Sequence, residues 1–135
     1  MALLTWNPAC TVGVTAMDDQ HGIVMDAMNE LCQAVANGSG REVISKSLDQ
    51  LIEFTRMHFS SEESLMERAG FPGLAEHRAQ HQCMLARMLN SAHRLQYGNG
   101  IEMSSFLSFL RDWYVDHSSG LDQQYGPWLN DRGMS

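Results

Sequence analysis

The sequence is poor in the features that would send a chain to nucleic acid, to a membrane or along the secretory route. Only nine of its 135 residues are lysine or arginine, against sixteen acidic residues, for a formal charge of -7. The basic residues are scattered from Arg41 to Arg132 without forming a cluster. Nothing would neutralise a phosphate backbone, so nucleic acid is excluded as a partner. No apolar stretch approaches the roughly 20 residues of a membrane-spanning helix. The opening residues have neither a basic start nor a long apolar run, so no signal peptide is expected. The three cysteines, Cys10, Cys32 and Cys83, have no zinc-type spacing. Isolated thiols in odd number suit a reducing compartment, and cytoplasm is the expected location. Strand-like alternation is missing, as are a phosphate-binding loop and a nucleophile–base pair.

What the sequence does have is helical periodicity. A chain of this length fits one domain, 1–135, with a full core. Residues 1–17 read as an irregular arm, broken by Pro8 and Gly13 and packed down through Trp6, Val12 and Val14. A first helix is expected from about Asp18 to Val35, with Asp18 and Asp19 suiting its N-terminus. The run Asn37-Gly38-Ser39-Gly40 stops it. Ser39 followed by Glu42 is a capping-box pattern and predicts a second helix reaching about Arg68. Gly70-Phe71-Pro72-Gly73 breaks it, a third helix follows over about 73–96, and Tyr97-Gly98-Asn99-Gly100 ends that one. A fourth runs from about Ile101 to His117 or beyond, closed by Gly126-Pro127 ahead of a short tail with Trp128 and Leu129. Four such helices with short connections predict an all-α, antiparallel up-down-up-down four-helix bundle behind an N-terminal irregular arm.

Five of the six histidines and two carboxylates are distributed over these helices: His21, His58 with Glu62, His77 with His81, and His117 with Asp122. The i, i+4 pairs place their side chains about 40° apart in azimuth and about 6 Å apart in height, so both members can aim at one point. His117 and Asp122, at i, i+5, are about 140° apart on a regular helix and need a distorted final turn, which Gly120 would permit. Each piece alone has an ordinary reading. A His–Glu pair at i, i+4 is commonly a surface contact, and Asp122 alone would be a solvated or capping residue. His77 and His81 enclose Arg78-Ala79-Gln80, so the zinc-protease pattern is absent. The coincidence of the four pieces is what points to a metal, because an antiparallel bundle could bring them all to one level. Five imidazoles, two bridging carboxylates and one oxygen bridge fall one bond short of filling two octahedral ions, and such a nitrogen-rich shell suits iron better than magnesium or calcium. Copper and zinc remain chemically open.

Over nearly its whole length the chain resembles the hemerythrin family, specifically its bacterial members. The resemblance is carried by Trp6, by Met17-Asp18-Asp19-Gln20-His21, by the run His58 to Met66, by Phe71-Pro72, by His77-x-x-x-His81, and by Trp113-x-x-x-His117 with Asp122 and Tyr125. It implies a pair of non-haem irons joined by an oxo or hydroxo bridge. His77, His81 and His117 would hold one iron and His21 and His58 the other, with Glu62 and Asp122 bridging. Dioxygen, or another small diatomic ligand, would take the open position. The implied role is that of an oxygen carrier, store or sensor. An enzyme reducing peroxide or nitric oxide, or a redox- or iron-sensing module, is the alternative, and no protein partner is legible.

A pocket for the ligand is expected among Ile23, Met25, Phe54, Phe59, Trp113 and Ser118, although helical-core packing is the favoured reading of any single one. Ser118 departs from the family pattern, which places a bulky aliphatic residue directly after the last histidine. With Ser119 and Gly120 it predicts a small polar patch, readier access to the metal and faster autoxidation. Glu63 and His93 are expected to be solvated, and most of the ten methionines to be flexible core filler.

Overall fold

The computed structural model describes residues 11–97, 103–120 and 122–135, with backbone alone at 96, 97, 104, 118 and 119. Among the described residues there are five helices and no strand. These are α1 (Thr15–Ala36), α2 (Arg41–Ala69), α3 (Leu74–Tyr97), α4 (Met103–Ser119) and α5 (Asp122–Asp131). The first four are the expected bundle helices. Trp6 and the Tyr97–Gly100 stop lie wholly or partly outside the described residues.

Helix ends follow backbone chemistry more closely than side-chain capping signals. α1 begins at Thr15, three residues earlier than expected, with Val14 as its cap. Asp18 therefore sits inside the first turn. Its carboxylate accepts from the Val12 and Gly13 amides at 2.8 and 3.3 Å and ties the arm back onto the helix. The Ser39–Glu42 capping box does not form, and Gly40 caps α2 without a side-chain bond. The reason is that the Ser39 amide donates to the Ala34 carbonyl at 3.0 Å, as part of the closure of α1. At the other end of α2, Gly70 adopts φ 67°, the left-handed conformation that glycine reaches without strain. The Phe71 amide then reaches back to the Met66 carbonyl at 2.9 Å.

The main core joins α1 through α4. Leu31, Leu48, Leu51 and Met88 are completely buried there, with Phe106, Leu107 and Leu110 contributed by α4. Each such side chain contributes about 1.5–3 kcal/mol by leaving water. α4 is held to α1 by the Tyr114 hydroxyl, which donates to the His21 carbonyl at 2.9 Å.

A second, smaller core lies at the opposite end. Val12, Val14, Met17, Met66, Tyr125 and Leu129 bring the arm, the start of α1, the end of α2 and α5 together. This corrects the expected tail. Gly126 and Pro127 do not close a helix but lie inside α5. Gly126 is buried, and a Cβ there would stand 2.1 Å from the Val12 carbonyl oxygen. The indole of Trp128 donates to the Ala69 carbonyl at 3.0 Å, and the Asn130 amide donates to Gly13 at 2.9 Å.

Candidate metal centre

Between the two cores lies a buried set of polar side chains. His21 comes from α1, His58 and Glu62 from α2, His77 and His81 from α3, His117 from α4 and Asp122 from α5. None of the seven is more than 5% exposed. All the residues expected to bind metal are therefore brought together. The i, i+5 pair converges by a different route from the expected distorted turn. α4 ends, the Gly120 amide closes it on the Asp116 carbonyl at 3.0 Å, and Asp122 opens a new helix. A side chain at Gly120 would bring its Cβ to 2.7 Å from that carbonyl.

The donor atoms fall into two overlapping groups, each with its atoms within 4.8 Å of one another. Glu62, His77, His81, His117 and Asp122 form one, and His21, His58 and Glu62 the other. Asp122 faces both ways. Its Oδ1 lies 2.8 Å from His77 Nε2 and 3.0 Å from His117 Nε2, while its Oδ2 lies 3.3 Å from His21 Nε2. Glu62 does likewise, with Oε1 3.3 Å from His81 and 3.4 Å from His58, and Oε2 3.3 Å from His21.

Whether a cation fits can be decided from the unsatisfied atoms. Both nitrogens of His21 and His77, His58 Nε2, Glu62 Oε1 and both Asp122 oxygens are buried without a hydrogen-bond partner. Of these, the Nε2 atoms and the carboxylate oxygens approach one another without hydrogen-bond geometry, because they point toward shared interior points. Buried polar atoms left unmade are costly, and so many in one place call for a ligand. The surrounding hydrogen bonds say which kind. His58 Nδ1 bonds Gln20 Oε1 at 2.9 Å, His81 Nδ1 bonds Glu63 Oε2 at 2.9 Å, and His117 Nδ1 bonds Gln80 Oε1 at 3.1 Å. Each outer acceptor fixes the proton on Nδ1 and turns the Nε2 lone pair inward. His81 and His117 then face each other Nε2 to Nε2 at 3.2 Å. Two lone pairs at that distance repel unless a cation lies between or beside them.

The electrostatics agree. Burial alone would push the Glu62 and Asp122 carboxyls up. For Glu62, the neighbouring imidazoles, His58 first and then His21 and His81, outweigh burial and hold it well below the usual range. For Asp122, burial and the Glu62 charge are outweighed by the close approach of the His117, His21 and His77 imidazoles. Both stay ionised, as ligands must. Burial lowers His21, but Asp122 and Glu62 together push it up to about 10. The Tyr125 hydroxyl donates to Glu62 Oε2, and burial followed by the two carboxylate charges pushes its own pKa well up, so it stays a donor.

The expected ligand pocket divides into two spaces. An inner cavity of about 10 Å³ touches His21, His58, His117 and Asp122, and Phe59 and Trp113 line it as expected. Its remaining walls, including Val24, Met28, Thr55, Met84 and Tyr114, were not anticipated. Ile23 and Phe54 instead line an outer groove of about 180 Å³ with Gln20 and Met57, and Ile23 is 49% exposed. Ile23 follows His21 by two residues, about 200° around the helix, and so faces away from the site. Met25 is packed in the main core and lines neither space. The side chain of Ser118 lies outside the described residues.

Glu63 is a further correction, since it is not simply solvated. Besides His81 it accepts from Arg78 Nε at 2.9 Å, so an Arg78–Glu63–His81 chain orients one imidazole. Gln20, Glu63 and Gln80 carry no periodicity signal that would single them out, because their partners are residues of other helices.

Inward-facing imidazoles and shared carboxylates, drawn from separate helices to the middle of a bundle, define a histidine–carboxylate metal protein. The family model described as the hemerythrin HHE cation binding domain matches residues 12–129. The bacteriohemerythrin of Methylococcus capsulatus is 36% identical over 131 residues, spanning 96% of this chain and 99% of its own. That of Stenotrophomonas maltophilia is 32% identical over 93% of this chain and 80% of its own. A wild-type hemerythrin crystal structure superposes with a TM-score of 0.89 at 36% identity, over 95% of this chain and 98% of that one. The chain belongs to the hemerythrin family.

Proposed function

We propose that this chain, folded as one domain, holds two iron ions joined by an oxo or hydroxo bridge and binds dioxygen or another small diatomic ligand reversibly. One observation carries the reading. Six buried, partnerless atoms (Nε2 of His21, His58 and His77, Oε1 of Glu62 and both oxygens of Asp122) converge in a site where Glu62 belongs to both donor groups and Asp122 Oδ2 reaches His21 Nε2 at 3.3 Å. In this reading His77, His81 and His117 hold one iron, His21 and His58 hold the other, and Glu62 and Asp122 bridge. Bound iron supplies the redox couple and the open coordination position that dioxygen needs.

The protein's own residues do the rest. Gln20, Glu63 and Gln80 fix three ring orientations. Phe59 stacks on His81 with ring centroids 3.7 Å apart, and Trp113 stacks on His117 at 4.5 Å. These rings wall the site from water, which favours reversible binding over turnover. No helix among the described residues is long and apolar enough to cross a membrane. A cytoplasmic location fits the unpaired Cys32 and Cys83.

The test is anaerobic reconstitution with ferrous iron followed by cycles of air and argon, read by absorption. The expected result is a band that appears and fades with oxygen over repeated cycles. Steady consumption of peroxide with an added reductant, in place of that reversible band, would favour an enzyme.

A further inference from the structure

Thr55 is buried in the middle of α2, 3% exposed, and its hydroxyl has no hydrogen-bond partner. That is unusual for a helical threonine, whose hydroxyl ordinarily bonds a backbone carbonyl one turn back. The side chain stands one turn before His58 and Phe59, on the face that carries Glu62 another turn on. It lines the inner cavity, which also touches His21, His58, His117 and Asp122. The other walls are mainly apolar: Val24, Met28, Phe59, Met84 and Trp113. The one other hydroxyl there, on Tyr114, is committed to the His21 carbonyl at 2.9 Å. At about 10 Å³ the cavity is close to the minimum for a single water-sized occupant.

We propose that Thr55 is the ligand-recognition group of this cavity, its hydroxyl donating a hydrogen bond to the outer atom of a small ligand held against the His21–His58 side of the site. The inference rests on the metal-site reading above. An orphaned hydroxyl in apolar surroundings costs stability unless something enters to accept its proton. A cavity whose walls away from the four site residues are mainly apolar, with one uncommitted hydroxyl, favours ligands whose far atom accepts a hydrogen bond, such as dioxygen or azide. It discriminates against ligands of similar size whose far atom accepts poorly.

The test compares wild type, Thr55→Val and Thr55→Ser, each iron-loaded and oxidised, with azide as the probe. Thr55→Val removes the donor at nearly constant shape, and azide affinity is expected to fall about three- to tenfold, the range of one neutral hydrogen bond. Thr55→Ser is expected to restore affinity to within about twofold. A second reading uses the metal-free proteins. Removing a partnerless hydroxyl should leave the thermal midpoint of Thr55→Val at or above that of wild type. Equal azide affinities for wild type and Thr55→Val would overturn the inference, and so would a lower metal-free midpoint, which would show that the hydroxyl supports the fold. Failure of iron-loaded wild type to bind azide at all would instead overturn the ligand-binding reading and take this inference with it.

Discussion

Gly126 links the fold to the metal centre, and replacing it with alanine tests that link. The added Cβ would sit 2.1 Å from the Val12 carbonyl oxygen and 3.1 Å from the Val12 carbonyl carbon. An ordinary carbon–oxygen contact is more than 3 Å, so α5 and the arm must separate by about 1 Å or more. Both partners are backbone, and neither can rotate away. Overpacking of this kind costs about 1–3 kcal/mol. For a domain of this size that lowers the thermal midpoint by about 4–10 °C. The displacement also has a direction that matters. Asp122 stands one turn before Gly126 on the same helix, and its carboxylate lies 2.8 Å from His77 and 3.0 Å from His117. Moving α5 away from the arm drags that carboxylate, and Tyr125 with it. Gly126→Ala is therefore expected to lower both the metal-free midpoint and the amount of iron retained after desalting, read by differential scanning calorimetry and metal analysis. Gly22→Ala is the control: nothing lies within 4 Å of a Cβ there, so helix propensity should add about 0.5–1 kcal/mol of stability. A Gly126→Ala protein with wild-type midpoint and full iron would refute the reasoning.

Three further outcomes follow from the site. Glu63→Gln removes the carboxylate shared by Arg78 and His81, and metal affinity is expected to fall about 10–100-fold by competition with a chelator, with the helical fold intact by circular dichroism. In the metal-free protein His21 titrates at about 10, above its ordinary value, so its charge stabilises the fold below about pH 6.5 and that contribution is lost as pH rises through 10. Because a metal needs the unprotonated ring, ferrous loading at pH 8 should release about one proton from this residue, and affinity should rise from pH 7 to 9. A pH-independent affinity would count against the assignment. Ser118→Ile restores the aliphatic residue the family pattern expects and should lengthen the half-life of the oxygenated form; equal half-lives would remove Ser118 from the account.

The clustering of the seven histidines and carboxylates was legible in the sequence because much of it is written in helical spacing. His58 with Glu62 and His77 with His81 share a face whatever the rest of the chain does, and the Gly70-Phe71-Pro72-Gly73 break makes their helices neighbours. Asp122 was legible as a residue but not as a geometry. The break after Gly120 and the new helix α5 depend on a second core formed with Val12 and Val14, about a hundred residues away in sequence. Pro127 read as a stop because a proline inside a helix forfeits a backbone bond, a local cost that the burial of Tyr125 and Leu129 offsets. The Ser39–Glu42 pattern failed for a local reason, since the Ser39 amide was already used to close α1. Glu63 and Thr55 were invisible as site residues: the first depends on helix α3 arriving with Arg78 and His81, the second on a hydroxyl left without a partner in three dimensions.

The central claim is that one buried site holds two metal ions, with Glu62 common to both donor groups and Asp122 reaching from the larger group to His21. Ferrous titration of the metal-free protein under anaerobic conditions, followed by metal analysis and native mass spectrometry, tests it most directly. The account predicts saturation at about two irons per chain, falling to about one or fewer in Asp122→Asn. Saturation of the unmodified chain at a single ion, or undiminished loading of Asp122→Asn, would contradict it.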